Sequence, residues 1–194
     1  MRAKHVKAMG FAAALALPLA IAGCTSTGSS VKVSYYSIGG TSLPGIDREI
    51  RRKGPRIGRD RHAVAVARIK MNPHMRFQRV AEGCSIAKAK VDVNARVTLP
   101  AWTGRDTANA RLAKAWDNID RYTRLHEGTH VAIAFRHAKR LERDLEALAP
   151  ARTCALARQN ARILVREALV VHDAQQRLFD RNEKLRLAAT ARST

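Results

Sequence analysis

The chain has 194 residues, 46% of them apolar, enough for one domain with its own core and too few for two large ones. That apolar share excludes a globally disordered chain. Lys and Arg number 36 against 16 Asp and Glu, a net charge of +20 spread along the chain, which fits an anionic partner or surface as well as a solvated basic exterior.

The N-terminus reads as an address. Arg2, Lys4 and Lys7 precede the apolar run FAAALALPLAIAG, which is too short for a transmembrane span, and Ile21-Ala22-Gly23-Cys24 closes it. A charged region, an apolar region and a tetrapeptide that resembles a lipobox, in that order, predict a lipoprotein signal peptide over residues 1–23. Cleavage before Cys24 would be followed by acylation of Cys24, a lipid anchor in the membrane. Thr25, not Asp, follows the cysteine, which resembles an outer-membrane sorting signal, with the domain facing the periplasm. Removing residues 1–23 takes away three positive charges and leaves +17. Residues 24–30 read as the lipidated cysteine and a flexible tether. Cys84 and Cys154 then remain, and in an oxidising compartment the even pair reads as a disulfide between the β half and the helical half.

From residue 31 the chain reads as one α+β domain to about residue 188, with a disordered tail over 189–194. VKVSYYSIGG predicts a strand and turn. SLPGIDREIRRKG predicts a short helix capped by Ser42, with Pro44 early and Gly54 late. HAVAVARIKM reads as a strand and HMRFQRV as its partner beyond Asn72-Pro73. Val91, Val93, Ala95, Val97 and Leu99 alternate with Asp92, Asn94, Arg96 and Thr98, a half-buried strand of a small antiparallel sheet that stops at Pro100.

Two long helices follow. Asp106 is the expected cap of the first. Leu112, Trp116, Ile119, Thr123, His126, His130, Ile133, His137 and Leu141 recur at spacings of three and four and share a face. Pro150 ends it. The second runs from 151 to about 187, with Ala157, Leu164, Val171, Leu178 and Leu185 spaced by seven. Strands first and helices after imply an antiparallel helical hairpin packed on one face of the sheet.

The first helix carries His126-Glu127-Gly128-Thr129-His130. Residues four apart on a helix lie on one face, so His126 and His130 can reach one Zn²⁺, while Glu127, turned aside by one position, can take a proton from a water held there and act as the catalytic base. The third ligand is not in the motif. Ile133 and Arg136 stand where an extended motif would place glycine and histidine, and His137 lies about 10 Å further along the helix. A hairpin turning near residue 149 sets His130 level with about residue 168. That makes Glu167 the first choice as third ligand, with His172 nearly level but rotated off the stripe.

Tyr36-Ser37-Ile38-Gly39-Gly40-Thr41, Gly54-Pro55, Cys84 opening a strand that ends Thr98-Leu99-Pro100, Trp116, the HEGTH motif, Cys154 and Phe179-Asp180-Arg181-Asn182-Glu183 follow one another in an order that resembles the bacterial DUF922 family of predicted secreted zinc-dependent proteases. The resemblance covers about residues 31–184. It implies an α+β fold, a zinc site at His126 and His130 and a Cys84–Cys154 disulfide, and it raises Asp180 and Glu183 as rival third ligands. The family's glycine-rich tail is replaced here by KLRLAATARST. Two functions follow as expectations: a lipid-anchored zinc metallopeptidase acting on peptides or proteins of the envelope, or a non-enzymatic lipoprotein that docks its basic surface on anionic lipopolysaccharide or cell-wall polymer. Nucleic acid fits the charge but not the compartment.

Overall fold

A computed structural model describes residues 28–59 and 61–192. The expected signal peptide, Cys24 and most of the tether lie outside the described residues. The longest alternating stretch of the sequence becomes the central strand, β5 (Gly83–Trp102), with β1 (Ser30–Ile38) on one side and β4 (Val66–Val80) on the other. Val91, Val93, Ala95, Val97 and Leu99 are all buried, as their alternation requires. Asp92 is buried too, against the expectation of an outward position, and is held by Lys90 at 3.0 Å and His74 at 3.4 Å.

The sheet is mixed rather than wholly antiparallel. β4 is antiparallel to β5, but β1 is parallel to it, from Ser30 opposite Asn94 to Ile38 opposite Trp102. A period of two reports which faces are buried and is silent on strand direction. Pairing with β1 also carries β5 past Pro100. No hairpin forms at Asn72-Pro73: β4 runs straight through, with Pro73 opposite Val91. β4 is an edge strand, and Pro73 has the parity of Ala67, whose N–H turns away from β5, so the missing proton costs no ladder bond.

Between β1 and β4 lie α1 (Leu43–Lys53) and a two-residue hairpin of β2 (Arg56–Ile57) and β3 (Arg61–His62). α1 is capped as expected: the Ser42 hydroxyl accepts from Gly45 N–H at 3.3 Å, and Gly54 ends it. α2 (Ala110–Glu146) starts at Asn109, whose side chain accepts from Leu112 N–H at 2.9 Å. Asp106 falls in a single 3-10 turn just before it. α3 (Cys154–Arg192) includes residues 189–192, where a tail was expected to begin. The main core lies where Ile86, Ala89, Val91 and Val93 of β5 meet Ala134, Ala138, Leu141 and Leu145 of α2 and Ala161 of α3. Among the described residues no helix is long and apolar enough to cross a membrane.

The connector between α2 and α3 sets their register. It does not turn back tightly at Pro150. Ala151 pairs with Cys84 through two backbone bonds, of 2.8 and 2.9 Å, at the start of β5. Gly83 permits this with φ +128, and a Cβ there would stand 2.2 Å from the Ala151 carbonyl oxygen. The Cys84–Cys154 disulfide bonds the start of α3 to the same place. Closing a separation of 70 residues stabilises the fold by about 4 kcal/mol through the unfolded chain. Anchored so, α3 starts beyond the end of α2, and each residue of α3 meets a later part of α2 than a tight hairpin would give it.

β1 covers only the second half of β5, so the strand's earlier N–H groups need other partners. α2 supplies two of them: Val91 N–H donates to Glu142 Oε1 and Ala89 N–H to Glu146 Oε1, each at 2.9 Å. Burial pushes the Glu142 carboxyl up, but the Val91 N–H and Lys139 outweigh it and hold it below the usual range; the Ala89 N–H and Lys88 hold Glu146 down likewise. A depressed folded pKa stabilises above the unfolded value, about 4.3, and that contribution is lost as pH falls through the folded one. Glu142→Ala is expected to cost about 1–3 kcal/mol in urea unfolding at neutral pH by orphaning Val91 N–H. The deficit should shrink as the pH falls below 4.3 and the wild-type carboxylate is lost as well. A deficit that stays constant into acid would contradict this role.

Candidate metal centre

His126 and His130 stand on the α2 face that meets α3, and Glu127, one position on, points to the sheet. The two imidazoles bring their Nε2 atoms within 3.2 Å of each other. From α3, Asp180 Oδ1 reaches 2.9 Å from His130 Nε2 and 3.3 Å from His126 Nε2. Phe179 packs against both rings, 4.9 Å from one and 5.0 Å from the other. Among the described residues these three side chains are the group able to hold a metal ion.

The spacing fits a cation. Tetrahedral bonds of 2.0–2.1 Å put donor atoms about 3.3 Å apart, and the three observed separations lie within a few tenths of an ångström of that. The protonation pattern agrees. Gln176 donates through Nε2 to the His130 carbonyl at 3.1 Å and to His172 Nε2 at 2.8 Å, which fixes its amide orientation. Its Oε1 therefore accepts from His130 Nδ1–H at 2.5 Å, and in the neutral ring His130 Nε2 keeps a lone pair aimed at a carboxylate. Two acceptors then face each other, an arrangement that a metal ion between them satisfies. His172 in turn donates from Nδ1 to Asp173 at 3.1 Å, so a chain of hydrogen bonds fixes the tautomer behind the site. His126 Nδ1 is buried without a partner among the described residues. Burial, and then the nearby His130, lowers the His126 pKa, which favours the neutral, ligating form.

Glu127 is 5% exposed and accepts a hydrogen bond from Ala67 N–H of β4. Its burial raises its carboxyl above the usual range. It stands with His126 on the wall of a cleft of about 510 Å³, also lined by Ala63, Val64, Ala65, Tyr122 and Thr123, mostly apolar surface. One turn before His126, the Tyr122 hydroxyl donates to Glu183 at 3.1 Å. The Arg186 guanidinium holds Glu183 down to about 2.

Glu167 is not in the site. It lies exposed on the far side of α3, and Asp180 takes its place. Two physical facts account for the difference. The anchored connector sets His130 against Gln176, not residue 168, a slip of about 12 Å along the helix. The seven-residue stripe also drifts by about 20° per heptad on a straight helix, so Val171, Leu178 and Leu185 rotate out into solvent. The face that packs is instead Ala157, Ala161, Ala168, His172, Phe179 and Glu183, which repeats every eleven residues. Of the rival ligands, Glu183 is tied to Tyr122 and Arg186, and His172 sits one layer back against Gln176. Gln176 and Tyr122 were not singled out from the sequence. Gln176 lies four residues after His172 and three before Phe179, so an eleven-residue reading of α3 would have placed it beside them.

Residues 33–186 match the model of a family described as bacterial protein of unknown function (DUF922). No curated protein and no solved structure matches the chain. With most of its length under that match, and with the HEGTH helix, the Phe179–Glu183 segment and the Cys84–Cys154 bridge all part of one folded unit, the chain belongs to the DUF922 family.

Proposed function

We infer that the protein is a zinc-dependent peptidase of the bacterial cell envelope. The observation that carries this reading is the meeting of His126, His130 and Asp180 beside a buried glutamate on a cleft wall. Two imidazoles and a carboxylate are a donor set that zinc takes with an open fourth position. When bound, zinc supplies Lewis acidity toward a water and toward the carbonyl of a scissile amide. Glu127 takes the water's proton on its carboxylate and delivers it to the leaving nitrogen. The apolar cleft offers extended peptides a surface to lie on beside Glu127 and His126. Purified protein should carry one zinc per chain, lose it to a chelator, and cleave a mixed peptide library only when loaded. Protein that binds no zinc would end this reading. A purely structural metal, with the basic surface docking on an anionic polymer, gives no reason for burying Glu127 at a cleft wall.

The lipobox-like Ile21-Ala22-Gly23-Cys24 supports a lipid anchor, and Thr25 after it supports an outer-membrane site facing the periplasm, where the substrates would be envelope peptides or proteins. Clickable palmitate should label the wild type and not Cys24→Ala. A labelled variant would remove the anchor from the proposal.

A further inference from the structure

α3 carries a second apolar stripe that no other part of the described chain covers. Ile163, Val170, Leu178 and Leu185 are 38%, 66%, 41% and 62% exposed, and Ala174 lies exposed at their midpoint. At 3.6 residues per turn these five positions fall in a sector about 80° wide, roughly opposite Ala161, His172 and Glu183, which face α2. Two charges share the sector, Glu167 and Arg181, and neither has an ion-pair partner among the described residues. An occupant of this exposed apolar stripe would have to suit both signs of charge.

The arrangement is symmetric about Ala174. Val170 and Leu178 lie four residues to either side, Glu167 and Arg181 seven, Ile163 and Leu185 eleven. A second copy of α3, set antiparallel about a two-fold axis through Ala174, therefore faces Ile163 with Leu185, Val170 with Leu178 and Glu167 with Arg181, each pair occurring twice. A two-fold contact requires this self-complementarity. We propose that this face of α3 is a homodimer interface, an antiparallel helix pair closed by two reciprocal Glu167–Arg181 ion pairs across Ala174. Alanine at the axis lets the helices approach closely. An anionic lipid surface suits the stripe less well, because Glu167 would sit on it unpaired. The chain's net positive charge opposes association in general, so the one register that matches charges is selected against the others. Contact over residues 163–185 spans about 34 Å of helix, a small interface, and the dimer should be concentration-dependent. Asp180 lies about 100° around the helix from Arg181, so the metal centre stays outside the seam. The inference does not depend on the peptidase reading, and zinc content should be unchanged by every substitution below.

The test uses the full chain in an oxidising envelope, where Cys84 and Cys154 are already bonded to each other. Ala174→Cys should form a disulfide-linked dimer on a non-reducing gel. Val170→Cys and Leu178→Cys should each remain unlinked when expressed alone, since like positions are about 12 Å apart, beyond the reach of a disulfide. Co-expressed, they should link to each other. In detergent solution, sedimentation should show Arg181→Glu weakening self-association by about thirty-fold, with two attractive pairs turned repulsive. Glu167→Arg with Arg181→Glu should restore it. Three results would overturn the proposal: no linkage through Ala174→Cys; a double charge exchange as weak as the single one; or a wild type that stays monomeric while binding phosphatidylglycerol vesicles through the same residues.

Discussion

Glu127→Gln is expected to keep zinc and fold yet lower peptide hydrolysis by about 10²–10⁴-fold. The substitution is nearly isosteric. The new amide oxygen can still accept from Ala67 N–H, and its NH₂ then turns to the cleft, where it has no lone pair for a proton. The wild-type carboxyl is poised for the opposite role. Burial makes it a stronger base than an exposed glutamate, and it stands next to His126 on the cleft wall, within electrostatic reach of His130 and Asp180. Circular dichroism and zinc stoichiometry establish that the variant is intact; peptide-library cleavage at saturating zinc gives the rate. A Glu127→Gln protein as fast as wild type would remove glutamate base catalysis and leave the metal centre standing.

Asp180→Ala should weaken zinc binding by roughly 10²–10³-fold, because it removes one of three protein bonds to the ion. Its side chain is 55% exposed and makes no hydrogen bond to backbone among the described residues, so the fold should tolerate the change. Glu167→Ala is the control that matters. It sits on the opposite side of α3 and should bind zinc like wild type. Zinc affinity measured by competition with a chromogenic chelator separates the two. If Glu167→Ala weakens zinc and Asp180→Ala does not, α3 has a different register from the one described, and the Gln176–His130 bond is wrong with it.

The sequence by itself determined what depends on local periodicity and on short-range chemistry. Alternation from Val91 to Leu99 placed a buried strand face; Ser42 and Gly54 bounded a helix; the four-residue spacing of His126 and His130 put two imidazoles on one side of α2, with Glu127 turned aside. These follow from angles within a single element, and nothing elsewhere in the chain can change them without breaking that element. The even pair of cysteines was legible for a similar reason, since only one partner was left.

The tertiary structure alone decided what depends on one element meeting another. β1 runs parallel to β5 because α1 and the β2–β3 hairpin lead from the end of β1 to the start of β4 beyond β5, and β4 then reverses into β5, which no alternation pattern encodes. The third ligand was decided by an offset along two helices, which Ala151 and the disulfide set by pinning the connector to the start of β5. A shift of eight residues changes no helical propensity and no hydrophobic period, yet it exchanges Glu167 for Asp180. The rotation of α3 was equally hidden: its most visible apolar residues, Val171, Leu178 and Leu185, turn outward, while small residues, Ala157, Ala161 and Ala168, pack inward, because close approach of α3 to α2 and the sheet demands small side chains on the buried face.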